Sequence, residues 1–235
     1  LPKPIGYGIE SAACDQTGCI VVGQEPINSV ESLGLTTDNG RTWSILPNPP
    51  SWAKKSITAN YIACSAAQCL VYGSNVMSEA PGAPDNPQRD FEQTPDNGKT
   101  WKPIHLPGGD VAVDGVACIW SGRCWALYEG DSELESVATT TDGGSTWQPW
   151  TKVDIKVDPG DLAGFACQND RTCYILDQSN ELTATRDGGH SWRSATPPAD
   201  RSGSTELSTD AITCTPAASC WIGGDDSVWI GPPRT

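Results

Sequence analysis

"TTDNGRTW", residues 36–43, puts three hydroxyl residues, an aspartate, an Asn-Gly pair and a tryptophan into eight positions, and nearly the same eight letters return three times. The copies are "TPDNGKTW" at 94–101, "TTDGGSTW" at 140–147 and "TRDGGHSW" at 185–192. A short carboxylate accepts hydrogen bonds from the N–H groups of its own turn, and the Asn or Gly after it tolerates a positive φ. The hydroxyls add local donors, and tryptophan supplies a large apolar body with one N–H to satisfy. Asp38, Asp96, Asp142 and Asp187 therefore read as turn anchors, and Trp43, Trp101, Trp147 and Trp192 as core. A motif recurring at a fixed period is the mark of a repeat architecture.

The ten cysteines carry a second period. They form five close pairs, Cys14/Cys19, Cys64/Cys69, Cys118/Cys124, Cys167/Cys173 and Cys214/Cys220. Zinc would want Cys-x2-Cys spacing and further ligands, whereas these spacers are longer and the chain has only His105 and His190. Each pair flanks a short turn between extended runs, as in "YIACSAAQCLVYG". Residues facing each other across an antiparallel pair have Cα atoms within disulfide range, so one disulfide per hairpin is expected. Loops this small remove little unfolded-state entropy. Their number implies maturation in an oxidising compartment, secreted, extracellular or periplasmic.

Together the two periods define a unit of four short antiparallel strands. An apolar run ends at the first cysteine, and a β-rich run (CIVVG, CLVYG, CWALY, CYILD, CWIGG) leaves the second. A variable loop and a third run follow, then the aspartate turn and a fourth run from the tryptophan. This is the unit of a β-propeller blade. The expectation is an all-β, five-bladed β-propeller in one domain, with blades at 10–50, 57–107, 111–151, 161–197 and 207–231. The fifth unit has no aspartate turn, so its fourth strand is expected from the N-terminal segment 1–9, "LPKPIGYGI", closing the ring without a free sheet edge.

Nineteen prolines and 24 glycines point to many turns, and no apolar run reaches the roughly 18 residues that a membrane helix needs. The chain opens without a basic and apolar leader, so a signal peptide is expected to have been removed. A formal charge of −14 argues against nucleic acid and anionic membrane as partners and permits cationic ones. No cofactor and no metal is expected, and a monomer is.

The pattern Ser/Thr-x-Asp-x-Gly-x-Thr/Ser-Trp resembles the Asp-box, or bacterial neuraminidase repeat, of sialidases, sortilin-type receptors, photosystem assembly factors and many secreted propellers. The resemblance implies that the aspartate turn joins the third and fourth strands of a blade, away from the functional site. The hairpin disulfides join strands one and two and so share that end of the blade. Function is then expected at the other end, where loops vary in length and composition.

Those loops are 47–56, 74–93, 128–136, 149–161 and 223–227. Trp52 and Trp150 stand outside the turn motif, as stacking platforms for a sugar or peptide or as packing between neighbouring blades. Asp85, Arg89, Asp90, Glu129, Asp131, Asp225 and Asp226 are the polar candidates for binding a protein or glycan. Sialidases hold a substrate carboxylate with three arginines and carry an Arg-Ile-Pro motif. Here Arg41, Arg171, Arg186 and Arg193 lie in or beside turns, Arg234 is at the end, and the opening reads "LPKPIG". The alternative is a different glycoside hydrolase, with two or three carboxylates in the central funnel drawn from the same loop acids and Glu133. Calcium at "GDSELE" or "GGDDS" has no EF-hand spacing behind it. The expectation is a non-catalytic propeller that binds its ligand with the variable loops.

Overall fold

The computed structural model describes residues 9–24, 31–46, 58–66, 68–74, 89–109, 111–129, 135–152, 162–179, 181–195, 211–215, 219–224 and 227–230. All regular structure among them is β, in five antiparallel sheets whose strands follow chain order. The first sheet is β1 (Ile9–Cys14), β2 (Cys19–Gln24), β3 (Glu31–Thr36) and β4 (Ser44–Ile45). The second is β5 (Thr58–Ser65), β6 (Gln68–Ser74), β7 (Arg89–Thr94) and β8 (Lys102–Pro103). The third is β9 (Val113–Cys118), β10 (Cys124–Glu129), β11 (Glu135–Thr140) and β12 (Gln148–Lys152). The fourth is β13 (Leu162–Cys167), β14 (Cys173–Asp177), β15 (Leu182–Thr185) and β16 (Arg193–Ala195). The fifth has three strands, β17 (Ala211–Thr215), β18 (Ser219–Gly224) and β19 (Ser227–Ile230).

The cysteines end one strand and begin the next, and in every sheet they face each other in register. All five adjacent pairs are bonded, with Cα atoms 4.0–4.1 Å apart, and no cysteine is free. The second strand of a sheet is buried on both faces, which is why it reads as an unbroken apolar run such as Cys-Tyr-Ile-Leu-Asp in β14. The first strands of four sheets each carry a β-bulge four residues before the cysteine, at Glu10, Asn60, Asp114 and Ala163. Outer strands are short, two residues in β4 and β8, which limits the unpaired edge available to other chains.

The chain divides into two compact units. The first contains the first two sheets and two turns of the third, Trp120–Arg123 and Thr140–Trp147. Its core joins Ile20, Val22, Leu33 and Leu46 to Ile62, Cys64, Cys69 and Val71, with Trp101 packed against it. The second unit contains the strands of the third, fourth and fifth sheets. There Trp125, Leu127 and Val137 pack on Phe165, Cys173 and Ile175, while Tyr174, Leu176 and Leu182 pack on Ile212 and Ile222. Strand β13 lies against β9 and β17. Close approach is bought with small residues: a Cβ on Gly115 would sit 2.9 Å from that of Phe165, and one on Gly164 would sit 3.0 Å from the Ile212 nitrogen.

Several boundaries differ from the sequence expectation. The run 74–93 is not all loop, because Arg89 and Asp90 open β7 and pair with Ser74 and Gly73. "RDFEQT" is too polar to read as a strand, yet its Glu92, Gln93 and Thr94 are buried. Glu129 closes β10 instead of opening a loop, and Trp150 lies inside β12. Pro149 hides that strand in the sequence, and an outer strand tolerates it because its N–H is not needed. The fourth run "WKPIHLP" pairs only through Lys102 and Pro103, with Ile104 donating to Phe91, so His105 lies beyond the strand. The N-terminal segment 1–8 lies outside the described residues.

Candidate functional site

The aspartate turns join the third and fourth strands of the first four sheets, and their hydrogen bonding is nearly superimposable. Thr36, Thr94, Thr140 and Thr185 each donate through Oγ1 to Oδ1 of Asp38, Asp96, Asp142 and Asp187, at 2.9, 3.0, 2.6 and 2.8 Å. The same hydroxyl oxygens accept from the N–H of Gly40, Gly98, Gly144 and Gly189. The carboxylates then accept the N–H of Thr42, Thr100, Thr146 and Ser191 at 2.8–2.9 Å. Their second oxygens take those residues' hydroxyls at 2.6–2.8 Å. Trp43, Trp147 and Trp192 donate Nε1 to the carbonyls of Gly40, Gly144 and Gly189, whereas the buried Nε1 of Trp101 has no acceptor.

Both oxygens of every one of these carboxylates are engaged as acceptors of donated hydrogen bonds, which favour the charged form. The Thr42 hydroxyl and N–H hold Asp38 below the ordinary value of 3.8, and the Ser191 hydroxyl holds Asp187 far below it. At Asp96 and Asp142 desolvation is the largest single influence and pushes upward, but the bonds from Thr100 and Thr94, and from Thr140 and Thr146, together outweigh it. A carboxyl that stays ionised and saturated is a poor proton donor. Because the folded values are depressed, the turns contribute their full stability above pH 3.8 and lose it progressively as the pH falls below that value. An acid titration followed by circular dichroism and thermal melting should show constant stability down to about pH 4.5 and a steep loss below about pH 3.5.

Side chains outside the motif clasp the turns, and this was not visible in the sequence. In the first unit the buried Gln93 donates Nε2 to the Gly143 carbonyl at 2.6 Å, and Gly122 donates its N–H to Ser65 Oγ at 3.0 Å. Phe91 packs on the Trp147 ring, centroids 5.8 Å apart. Leu46 covers Gly98 and Leu70 covers Gly144, each so closely that a Cβ on the glycine would overlap the leucine. In the second unit the fully buried Trp125 donates Nε1 to the Gly188 carbonyl at 3.2 Å. Its place directly after Cys124 was the one available signal. The hairpins share this end of the sheet: Cys19, Cys69 and Cys173 pair with Thr36, Thr94 and Thr185. The repeated chemistry is thus spent on holding the sheets together.

The ligand candidates among the described residues lie in the second and third sheets, away from the aspartate turns. Arg89 is half-buried at the start of β7, and its buried Nε meets no acceptor, an arrangement that suits a carboxylate or phosphate. Asp90 follows it in the strand and Glu129 closes β10. Trp150 occupies the extra position of a bulge in β12, since Val137 pairs with Thr151 and Ala138 with Pro149. Bulges re-aim side chains and recur beside functional sites. Asp177, the last residue of β14, is used locally, accepting the Glu181 N–H at 2.7 Å. Trp52, Asp85, Asp131, Glu133, Asp225 and Asp226 lie outside the described residues.

No family model matches the chain, and no curated protein matches it. Solved structures do. YCF48 bound to D1 peptide aligns with a TM-score of 0.49 and 16% identity, over 97% of this chain and 78% of that one. YCF48 from Cyanidioschyzon merolae aligns with a TM-score of 0.54 and 14% identity, over 91% of this chain, which spans 65% of the length of that chain. Among the described residues no helix is long and apolar enough to cross a membrane, and five disulfides are compatible with an oxidising, extracellular or lumenal location. In fold, this disulfide-bonded chain of repeated four-stranded sheets is similar to YCF48, a β-propeller protein.

Proposed function

We propose that the protein is a non-catalytic β-propeller of the Asp-box class that binds a protein partner through its variable-loop end. The five sheets are the blades of one ring, 9–50, 57–107, 111–151, 161–197 and 207–231, with the segment before Ile9 as the fourth strand of the last blade. The ring is monomeric and works outside the cytoplasm, secreted or periplasmic.

One observation carries the reading. The acids that recur with the repeat are saturated by their own turns, so the chemistry written four times into the chain is structural. A ligand is left with the loop end, where the Arg89 guanidinium has an unsatisfied donor. An arginine of this kind anchors a partner's carboxylate by a bidentate contact.

Peptide and glycan arrays, run beside chromogenic glycosides, test it. The expected result is binding to peptides bearing an accessible carboxylate, weakened about tenfold or more by Arg89→Ala, a loss of roughly 1.4 kcal/mol, with no glycoside cleaved. Hydrolysis that disappears on substitution of a single loop acid would sink the proposal in favour of a glycoside hydrolase. Binding confined to glycans would replace the protein partner with a carbohydrate.

A further inference from the structure

Four of the five disulfides have at least one sulfur residue sealed in the core. Cys69 and Cys173 are 1% and 0% exposed, and Cys124 and Cys220 are equally buried. Cys64 and Cys69 belong to the core joining the first two sheets, and Cys167 and Cys173 to the one joining the third and fourth. The first pair belongs to neither. Cys14 is exposed, alone among the ten cysteines, and Cys19 is half-buried. Disulfide exchange requires a thiolate to reach one sulfur in line with the bond, so access separates this pair from the rest.

The turn between the two cysteines is held by its own bonds. Asp15 Oδ1 accepts the N–H and hydroxyl of Thr17, both at 2.6 Å, and the N–H of Gly18 at 3.2 Å. Asp15 in turn donates its N–H to the Gly18 carbonyl at 2.9 Å. The β1–β2 ladder continues behind it. Opening the bond therefore leaves two thiols facing each other on a folded hairpin.

We propose that Cys14–Cys19 is a thiol–disulfide exchange site, open to dithiol reductants and reversible without unfolding. The attacking thiolate bonds to the exposed Cys14 sulfur and the Cys19 sulfur leaves as a thiolate. The second thiol of the reductant then displaces Cys14 from the mixed disulfide, so the reductant is oxidised by two electrons while Cys14 and Cys19 each take up a proton. The reverse sequence regenerates the bond because the two thiols are kept together by the hairpin. Dithiothreitol stands for the reductant in a direct test: the native chain is treated with graded concentrations, alkylated and mapped by mass spectrometry, with near-ultraviolet circular dichroism recorded on each sample. Cys14 and Cys19 are expected to label at about a tenth of the concentration that labels any other pair, with the dichroism unchanged. Removing the dithiothreitol and adding oxidised glutathione, which accepts the two electrons and is released as two thiols, should restore the bond. Simultaneous labelling of all five pairs, earlier labelling of Cys118/Cys124 or Cys214/Cys220, or loss of the dichroism in step with Cys14 labelling would each overturn the proposal.

Discussion

Gly18→Ala is expected to destabilise the protein by about 3 kcal/mol, lowering the melting temperature by roughly 6–12 °C in a thermal scan. A Cβ at this position would overlap the Thr36 carbonyl oxygen and press on Thr36 C and Thr37 Cα, at 3.1 and 3.3 Å. All three are backbone atoms in the strand end that leads into the first aspartate turn, so no rotamer change relieves the clash. Either the hairpin or the turn must move, and moving the hairpin disturbs the Asp15 N–H bond to Gly18. Gly109→Ala is the control. It too has a positive φ, 89°, but nothing lies within 4 Å of its Cβ, so its cost should stay near the roughly 1 kcal/mol of backbone strain alone. Equal losses at the two positions would show that packing against Thr36 contributes nothing.

Asp142→Ala comes second, with an expected loss of about 2 kcal/mol after allowance for solvent at an exposed carboxylate. It removes the acceptor for the Thr146 N–H and hydroxyl and for the Thr140 hydroxyl. The effect should spread, because Gly143 and Gly144 beside it are the residues that Gln93 and Leu70 clasp. Asp142→Asn keeps one acceptor oxygen for the Thr146 N–H and should cost about half as much. The loss should also shrink as the pH falls below the ordinary value of 3.8 toward the lower folded value, where the wild-type carboxylate takes up its proton. A deficit that does not change with pH would mean that bulk, not charge, matters at this position.

The parts of the fold legible in the sequence are those whose chemistry is local. Cys64 and Cys69 announce a hairpin because a short spacer between two β-rich runs can close in few ways, and all five bonds join neighbours. "TTDNGRTW" announces a turn because its acceptors and donors satisfy one another within eight residues. What could not be read depends on residues far apart in the chain. Gln93 looks like an ordinary polar residue until the Gly143 carbonyl, 50 positions away, is placed beside it. Arg89 reads as loop because it ends a run rich in proline and glycine, yet β6 pairs with it as a strand. The bulges had no signal at all, since Glu10, Asn60, Asp114 and Ala163 share a position but no chemistry. Of the candidate site, Arg89 and Asp90 open β7, Glu129 closes β10 and Trp150 lies in the outer strand β12.

The clasping of the turns makes folding stability a property of neighbours. Gly98 is covered by Leu46 of the sheet before it and Gly144 by Leu70, whereas a Cβ on Gly40 would meet only the ring of Trp43 in its own turn. In repeat proteins such nearest-neighbour coupling lets unfolding start at the least-coupled repeat and spread inward. The amides of Gly40 and Thr42 should therefore exchange with deuterium well before those of Gly98 and Thr100, although the two turns have the same internal bonds.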